Sequence, residues 1–156
     1  MFEGLKIVFK KLISALYSPN LEEMVKERVA EDLGVEKEKL PEVEYKPLPF
    51  IYVITKYGRI VLGKIRGAYD SIRNKIYIDP IDYFFSPFRE KIKILAEEFY
   101  HAAENVKGKL KFKYKNFLDY LKNYEDDENE IRAKRYAEDL AYKIEENLGS
   151  LSLYST

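Results

Sequence analysis

The spacing of apolar residues changes twice along this 156-residue chain, and this change constrains the fold more than any other feature. Before residue 35 and after residue 86, apolar residues recur every three or four positions, as on one face of a helix. Between residues 50 and 79 they run together or alternate, as in strands, with turns expected near Gly58 and Asn74. The pattern predicts an α+β fold with three to four strands in one antiparallel or mixed sheet.

Proline and glycine mark the ends of the predicted helices, since proline suits a first helical turn and glycine a position after the last one. On this basis Gly34 and Gly108 end two of the helices. Helices are predicted over residues 2–17, 19–33, 87–107, 116–123 and 127–148. The chain then divides into an N-terminal helical extension over 1–35, a main domain over 36–148 and a loose tail over 149–156.

Composition excludes some classes of function and favours others. The chain has 27 Lys+Arg and 27 Asp+Glu, so no net charge attracts it to nucleic acid or membranes. It has no Cys, which excludes disulfides, thiolate metal ligands and a cysteine nucleophile. Many charged residues and no Gln or Trp are typical of hyperthermophile proteins. No run has the length of a membrane span, and lysines interrupt the apolar start, so we expect a cytoplasmic protein.

The chain has one histidine, His101, and it follows two carboxylates at helical spacing, in Glu97-Glu98-x-x-His101. In the motif H-E-x-x-H, two histidines on one helix face hold zinc and the glutamate between them is the general base. Here Glu97 occupies the first histidine position. A structural explanation stays open, in which Glu97, Glu98 and Glu104 form a solvated helix face and His101 is a core residue with one hydrogen bond.

A later helix supplies a further carboxylate. Glu130 lies 29 residues after His101 and begins the segment E-I-R-A-K-R-Y-A. Strands, a motif helix and a later glutamate helix, in this order, resemble the zincin-like metallopeptidases, specifically the branch in which a glutamate is the third metal ligand. The family's motif L-x-H-E-x-x-H-A is matched over residues 95–102 except at Glu97. The resemblance covers about residues 49–148 and implies a small sheet packed against the motif helix and the long C-terminal helix. It also implies that Glu98 and His101 face Glu130 on the last long helix, across a cleft whose floor is the strand over residues 75–79.

The resemblance implies a role for each matched residue. Glu98 would be the catalytic base, His101 and Glu130 would be metal ligands, and Glu97 would be a ligand in place of the missing histidine. Two carboxylates and one imidazole activate water less well than one carboxylate and two imidazoles, and they shift the preference from zinc toward manganese or iron. The expected function is a metallopeptidase-like protein with a degenerate motif, a poor or inactive peptidase, holding a divalent metal or none. A peptide or protein would be its partner.

The resemblance also suggests what replaced the missing histidine. In the family, an aspartate one helical turn after the ligand glutamate holds the first histidine. This chain has Lys134 at that position. We therefore expect Glu97 and Lys134 to form an ion pair between the two helices, which would compete with a metal for Glu97. An exposed Lys134 without this role is the alternative.

Other interpretations use different residues. A Glu-x-x-His pair also occurs in di-iron helical bundles, but those sites normally need a second such pair, and this chain has one histidine. Residues 107–115 carry lysine at every second position. They suit a nucleic-acid or protein-binding module, or an edge strand protected from aggregation. The amphipathic segment 2–17 suits packing on the domain, or binding to a membrane surface or partner.

Overall fold

A computed structural model of the protein describes residues 19–54, 57–108 and 127–154. These ranges contain the helices α1 (Pro19–Leu33), α2 (Pro80–Phe85), α3 (Phe88–Val106) and α4 (Glu128–Tyr154). They contain the strands β1 (Val43–Tyr45), β2 (Phe50–Ile54), β3 (Ile60–Lys64), β4 (Gly67–Asp70) and β5 (Lys75–Ile78). The predicted helices over 2–17 and 116–123, and positions 109–115 of the lysine-rich segment, lie outside the described residues.

The five strands form two sheets. One has the order β1-β5-β4, with β1 parallel and β4 antiparallel to β5, and the other is an antiparallel ribbon of β2 and β3. The α+β class with a small mixed sheet is confirmed, and so is the hairpin around Gly58. The prediction of a single sheet of three to four strands is wrong. Strand β1 has three residues in a proline-rich connector, too few to show a period, and its pairing with β5 is non-local.

The hydrophobic core surrounds α3, which packs against α1 on one side and α4 on another. Residues Ala133, Ala137 and Ala141 of α4 are fully buried and recur every four positions. Their small side chains let α4 approach α3 closely. Helix α1 contributes Val25 and Val29 to the same core, although the sequence placed this helix in an extension over 1–35.

The helix ends show the expected capping chemistry. Gly34 follows α1 with a φ of 68°, the left-handed conformation that glycine adopts without strain. Asp127 accepts hydrogen bonds from the backbone N–H of Asn129 and Glu130, at 2.7 and 3.2 Å, and so caps α4. Helix α4 continues to Tyr154, so residues 149–154, expected as a loose tail, are helical.

Helix α2 was not predicted as a separate element. Asp79 caps it by accepting hydrogen bonds from the backbone N–H groups of Ile81 and Asp82, with Pro80 in the first turn. The same carboxylate accepts a hydrogen bond from the backbone N–H of Leu48 at 2.8 Å, which fastens the connector to α2.

In the described part of the chain, no helix is both long and apolar enough to cross a membrane.

Candidate functional site

The structure brings together two residues that the sequence predicted as metal ligands. His101 Nε2 of α3 lies 3.4 Å from Glu130 Oε2 of α4. Both side chains are largely buried, with exposed fractions of 10% and 18%. The cap at Asp127 places Glu130 in the first turn of α4, where the two helices meet. The geometric expectation that His101 faces the last long helix is therefore confirmed.

Glu98, the predicted base, lies on the buried face of α3 and is 8% exposed. A Cβ atom added to Gly67 of β4 would lie 3.0 Å from Glu98 Cγ and 3.2 Å from Oε1. The backbone of the edge strand thus packs directly on this carboxyl, and a larger residue at position 67 would press on the Glu98 side chain. The pKa of Glu98 is raised to about 8, mainly by burial; the charge of His101 lowers it, and the charges of Glu130 and Glu97 raise it.

The charge state of His101 depends on the surrounding carboxylates. Burial opposes a charged imidazole, but the contact with Glu130 and the charges of Glu98 and Glu97 prevail and raise the pKa of His101 to about 9. At neutral pH the metal-free site therefore contains an imidazolium paired with Glu130, next to a protonated Glu98.

Glu97, at the position of the missing histidine, is half-buried. Burial raises its pKa, the charge of Lys134 lowers it, and the charge of Glu130 raises it again. Lys134 itself is exposed. The charge of Lys134 thus lowers the pKa of Glu97, which is the direction that the sequence suggested. The expected ion pair between the two side chains stays a prediction.

A second connection between the helices was missed by the sequence analysis. Arg132 of α4 donates from Nε and Nη2 to the two carboxylate oxygens of Glu104 on α3, each at 3.3 Å. Glu104 is 5% exposed. The interpretation of Glu98 and Glu104 as a solvated helix face is therefore wrong. The sequence signal for this contact was weak. It consists only of spacing: Glu104 lies three residues after His101, and Arg132 lies two residues after Glu130.

The strand that packs on Glu98 is β4, through Gly67 at the edge of the three-stranded sheet. Helix α3 contacts both β4 and the central strand β5. The expectation that residues 75–79 form the floor of a cleft beside His101 stays a prediction.

The donor set bears on metal binding. An imidazole and carboxylates are suitable ligands for divalent cations, and His101 and Glu130 converge from two helices. Among the described residues, however, no three His, Cys, Asp or Glu side chains are grouped so that they can hold a metal ion. In this conformation the predicted ligands supply two converging donors, which is an incomplete fit.

Comparison with known proteins gives no family assignment. No protein-family model matches the chain, and neither do curated proteins or solved structures.

Proposed function

We propose that this chain is a zincin metallopeptidase-like protein with a degenerate metal motif, and that it is a poor or inactive peptidase. The observation that carries the proposal is the approach of His101 Nε2 to Glu130 Oε2, at 3.4 Å, from two helices that the motif order predicted to meet. The burial of Glu98 beside them supports the same alignment of the motif.

The protonation state of Glu98 is the first reason to expect poor hydrolysis. A general base must be unprotonated to accept a proton from water. With a pKa of about 8, the Glu98 carboxyl is largely protonated at neutral pH in the metal-free protein. Its packing against Gly67 also restricts the space beside one carboxyl oxygen.

The charge of the donor set is the second reason. Replacing a neutral imidazole by Glu97 adds one negative charge to a site that already contains Glu130. The added charge offsets that of a divalent cation and reduces the capacity of the cation to polarise a carbonyl or a water molecule. It also stabilises the imidazolium form of His101, which cannot act as a ligand.

The test restores the missing histidine with Glu97→His. We expect this variant to bind zinc more tightly than the wild type by more than about 100-fold, since even the loss of a residue that supports a ligand costs 10–100-fold. Calorimetric titration with zinc and elemental analysis of dialysed protein measure the gain. If histidine at this position does not improve zinc affinity, the proposed alignment of the motif is wrong.

Three controls make the result specific. Glu97→Gln changes the charge without adding an imidazole and should not gain zinc affinity. Adding Glu130→Ala to Glu97→His should remove most of the gained affinity, because it deletes a ligand. Hydrolysis of an unstructured protein substrate is measured with wild type and Glu98→Gln, with zinc or manganese added. Efficient hydrolysis by the wild type that Glu98→Gln abolishes would contradict the proposal.

A further inference from the structure

One face of the β2–β3 ribbon exposes large apolar side chains. Phe50, Ile60 and Leu62 are 63%, 70% and 57% exposed. Phe50 pairs with Lys64 across the ribbon, and alternate residues of β3 share a face, so these three side chains lie on one side. The position of Lys64 Nζ, 4.9 Å from the centre of the Phe50 ring, agrees with this register. A contiguous apolar face of this kind typically marks a binding surface.

The base of the ribbon is fastened to the rest of the protein. Lys64 Nζ lies 2.7 Å from Asp79 Oδ2 and 3.9 Å from Asp82 Oδ2. Arg66 Nη1 lies 3.4 Å from Glu90 Oε2 of α3. A two-stranded ribbon is marginally stable by itself, so these contacts help to hold it in place.

The charge around the ribbon indicates the sign of the partner. From position 46 to position 69 the chain has five basic residues and no acidic residue, namely Lys46, Lys56, Arg59, Lys64 and Arg66. Lys64 and Arg66 pair with carboxylates at the base of the ribbon. Arg59, beside the turn at Gly58, is exposed. The segment that forms the ribbon thus carries basic residues and no acidic ones, and this charge, with the apolar face, complements an anionic partner that also accepts apolar groups.

We propose that this ribbon face binds the surface of an anionic lipid bilayer, with Phe50, Ile60 and Leu62 entering the interfacial region and Arg59 near the headgroups. Such a surface accepts apolar side chains and attracts basic residues. Single-stranded nucleic acid fits less well, because Ile60 and Leu62 have no aromatic face on which a base stacks. A second copy of the ribbon fits less well too, since two such faces would bring like charges together. The inference does not depend on any activity at the His101 site.

The chain contains no cysteine, so a single label can report on this face. An environment-sensitive fluorophore is attached to the full-length Leu62→Cys variant and titrated with vesicles. We expect a blue shift with vesicles of phosphatidylcholine and phosphatidylserine, and a much smaller one with phosphatidylcholine alone. We expect the shift to weaken as the salt concentration rises. Equal responses to both vesicle types, or no response to either, would overturn the proposal.

Unlabelled variants test the residues by co-sedimentation with phosphatidylserine-containing vesicles. Ile60→Ser combined with Leu62→Ser should lower the partition coefficient about tenfold or more, because two apolar side chains no longer leave water. Arg59→Glu should lower it about fivefold or more. Ile72→Ser is the matched control, since Ile72 is 95% exposed in the β4–β5 turn. It should change binding by less than about twofold. Because all these positions are exposed, circular dichroism should show folded variants with similar melting temperatures.

Other occupants of the face give different results, and each would overturn the proposal. A dimer in solution that Leu62→Ser dissociates would assign the face to a second copy. Salt-sensitive binding of single-stranded DNA or RNA that Leu62→Ser abolishes, without vesicle binding, would assign it to nucleic acid. Protection of the Leu62→Cys thiol that disappears on deletion of residues 2–17 would assign it to the N-terminal segment.

Discussion

At the scale of single residues, Glu98 and His101 show how burial and neighbouring charge determine a protonation state. The two lie three positions apart on one helix, yet both hold a proton at neutral pH, with pKa values of about 8 and about 9. For Glu98 the main cause is burial, and for His101 it is the carboxylates that outweigh burial. A carboxyl and an imidazole, which are both mostly unprotonated at pH 7 when exposed to water, are therefore both protonated here.

These shifts predict how stability depends on pH. Both groups have folded pKa values above their usual ones, so the unfolded chain releases their protons first as the pH rises. The metal-free protein should therefore lose stability as the pH rises from about 5 to about 9. The free energy of unfolding should fall by up to about 1.4 kcal/mol per pH unit for each of the two groups, at the pH values where that group loses its proton only on unfolding. Glu98→Gln stays neutral and should flatten this decline. The melting temperature of chelator-treated protein against pH measures it, and parallel curves for wild type and Glu98→Gln would contradict the assignment.

At the scale of elements, α3 and α4 are connected by two charged contacts on a closely packed interface. His101 meets Glu130, and one turn further along α3 Glu104 meets Arg132. The rings of Tyr100 and Tyr136 lie 5.2 Å apart beside them. Fully buried alanines of α4 permit the approach, so the site depends on how closely the two helices pack as well as on its own residues.

The Glu104–Arg132 contact should contribute measurably to this interface. Arg132→Ala leaves the buried Glu104 carboxylate without its partner, and a double-mutant cycle with Glu104→Ala should give a coupling of about 1–2 kcal/mol, limited by the partial exposure of Arg132. Urea denaturation measures it. The pair Glu36 and Lys39, exposed and 4.0 Å apart, is the control and should show no coupling above experimental error. An equally small value for Glu104 and Arg132 would mean that solvent screens this contact as well.

At the scale of the whole molecule, α1 shares the core with α3. Val25 and Val29 are fully buried in the cluster that contains Leu95 and Phe99 of α3. This arrangement predicts that α1 unfolds together with the remainder of the described domain, although the sequence suggested a separate extension over 1–35.

Val29→Ala tests that cooperativity. It should lower the free energy of unfolding by about 2 kcal/mol and leave a single transition, because the removed methyl groups lie in a shared core. Circular dichroism and tyrosine fluorescence should report the same midpoint. Leu95→Ala in α3 is the reference, with an expected loss of about 2–5 kcal/mol. If Val29→Ala accelerates hydrogen exchange in α1 alone and leaves the global midpoint unchanged, the extension is an independent unit.

Signals that act over a few residues were readable from the sequence. Glycine at position 34 ends α1 because it adopts a positive φ, and the apolar runs around Gly58 predict the hairpin because the turn lies between them. Helical periodicity is also a local signal. It predicts that Glu98 and His101 lie on one helix, α3, and that Glu130 lies at the start of α4.

Pairing, burial and protonation depended on the tertiary structure. Strand β1 pairs with β5 across more than thirty residues, and no local pattern specifies that partner. The position of Glu104 in the sequence does not distinguish it from an exposed helix residue. Only the approach of α4 buries it against Arg132. The proton on Glu98 likewise follows from the packing of Gly67 and the loss of water around the carboxyl. Local sequence sets backbone conformation, whereas the environment of a side chain is the sum of contacts with residues distant in the chain.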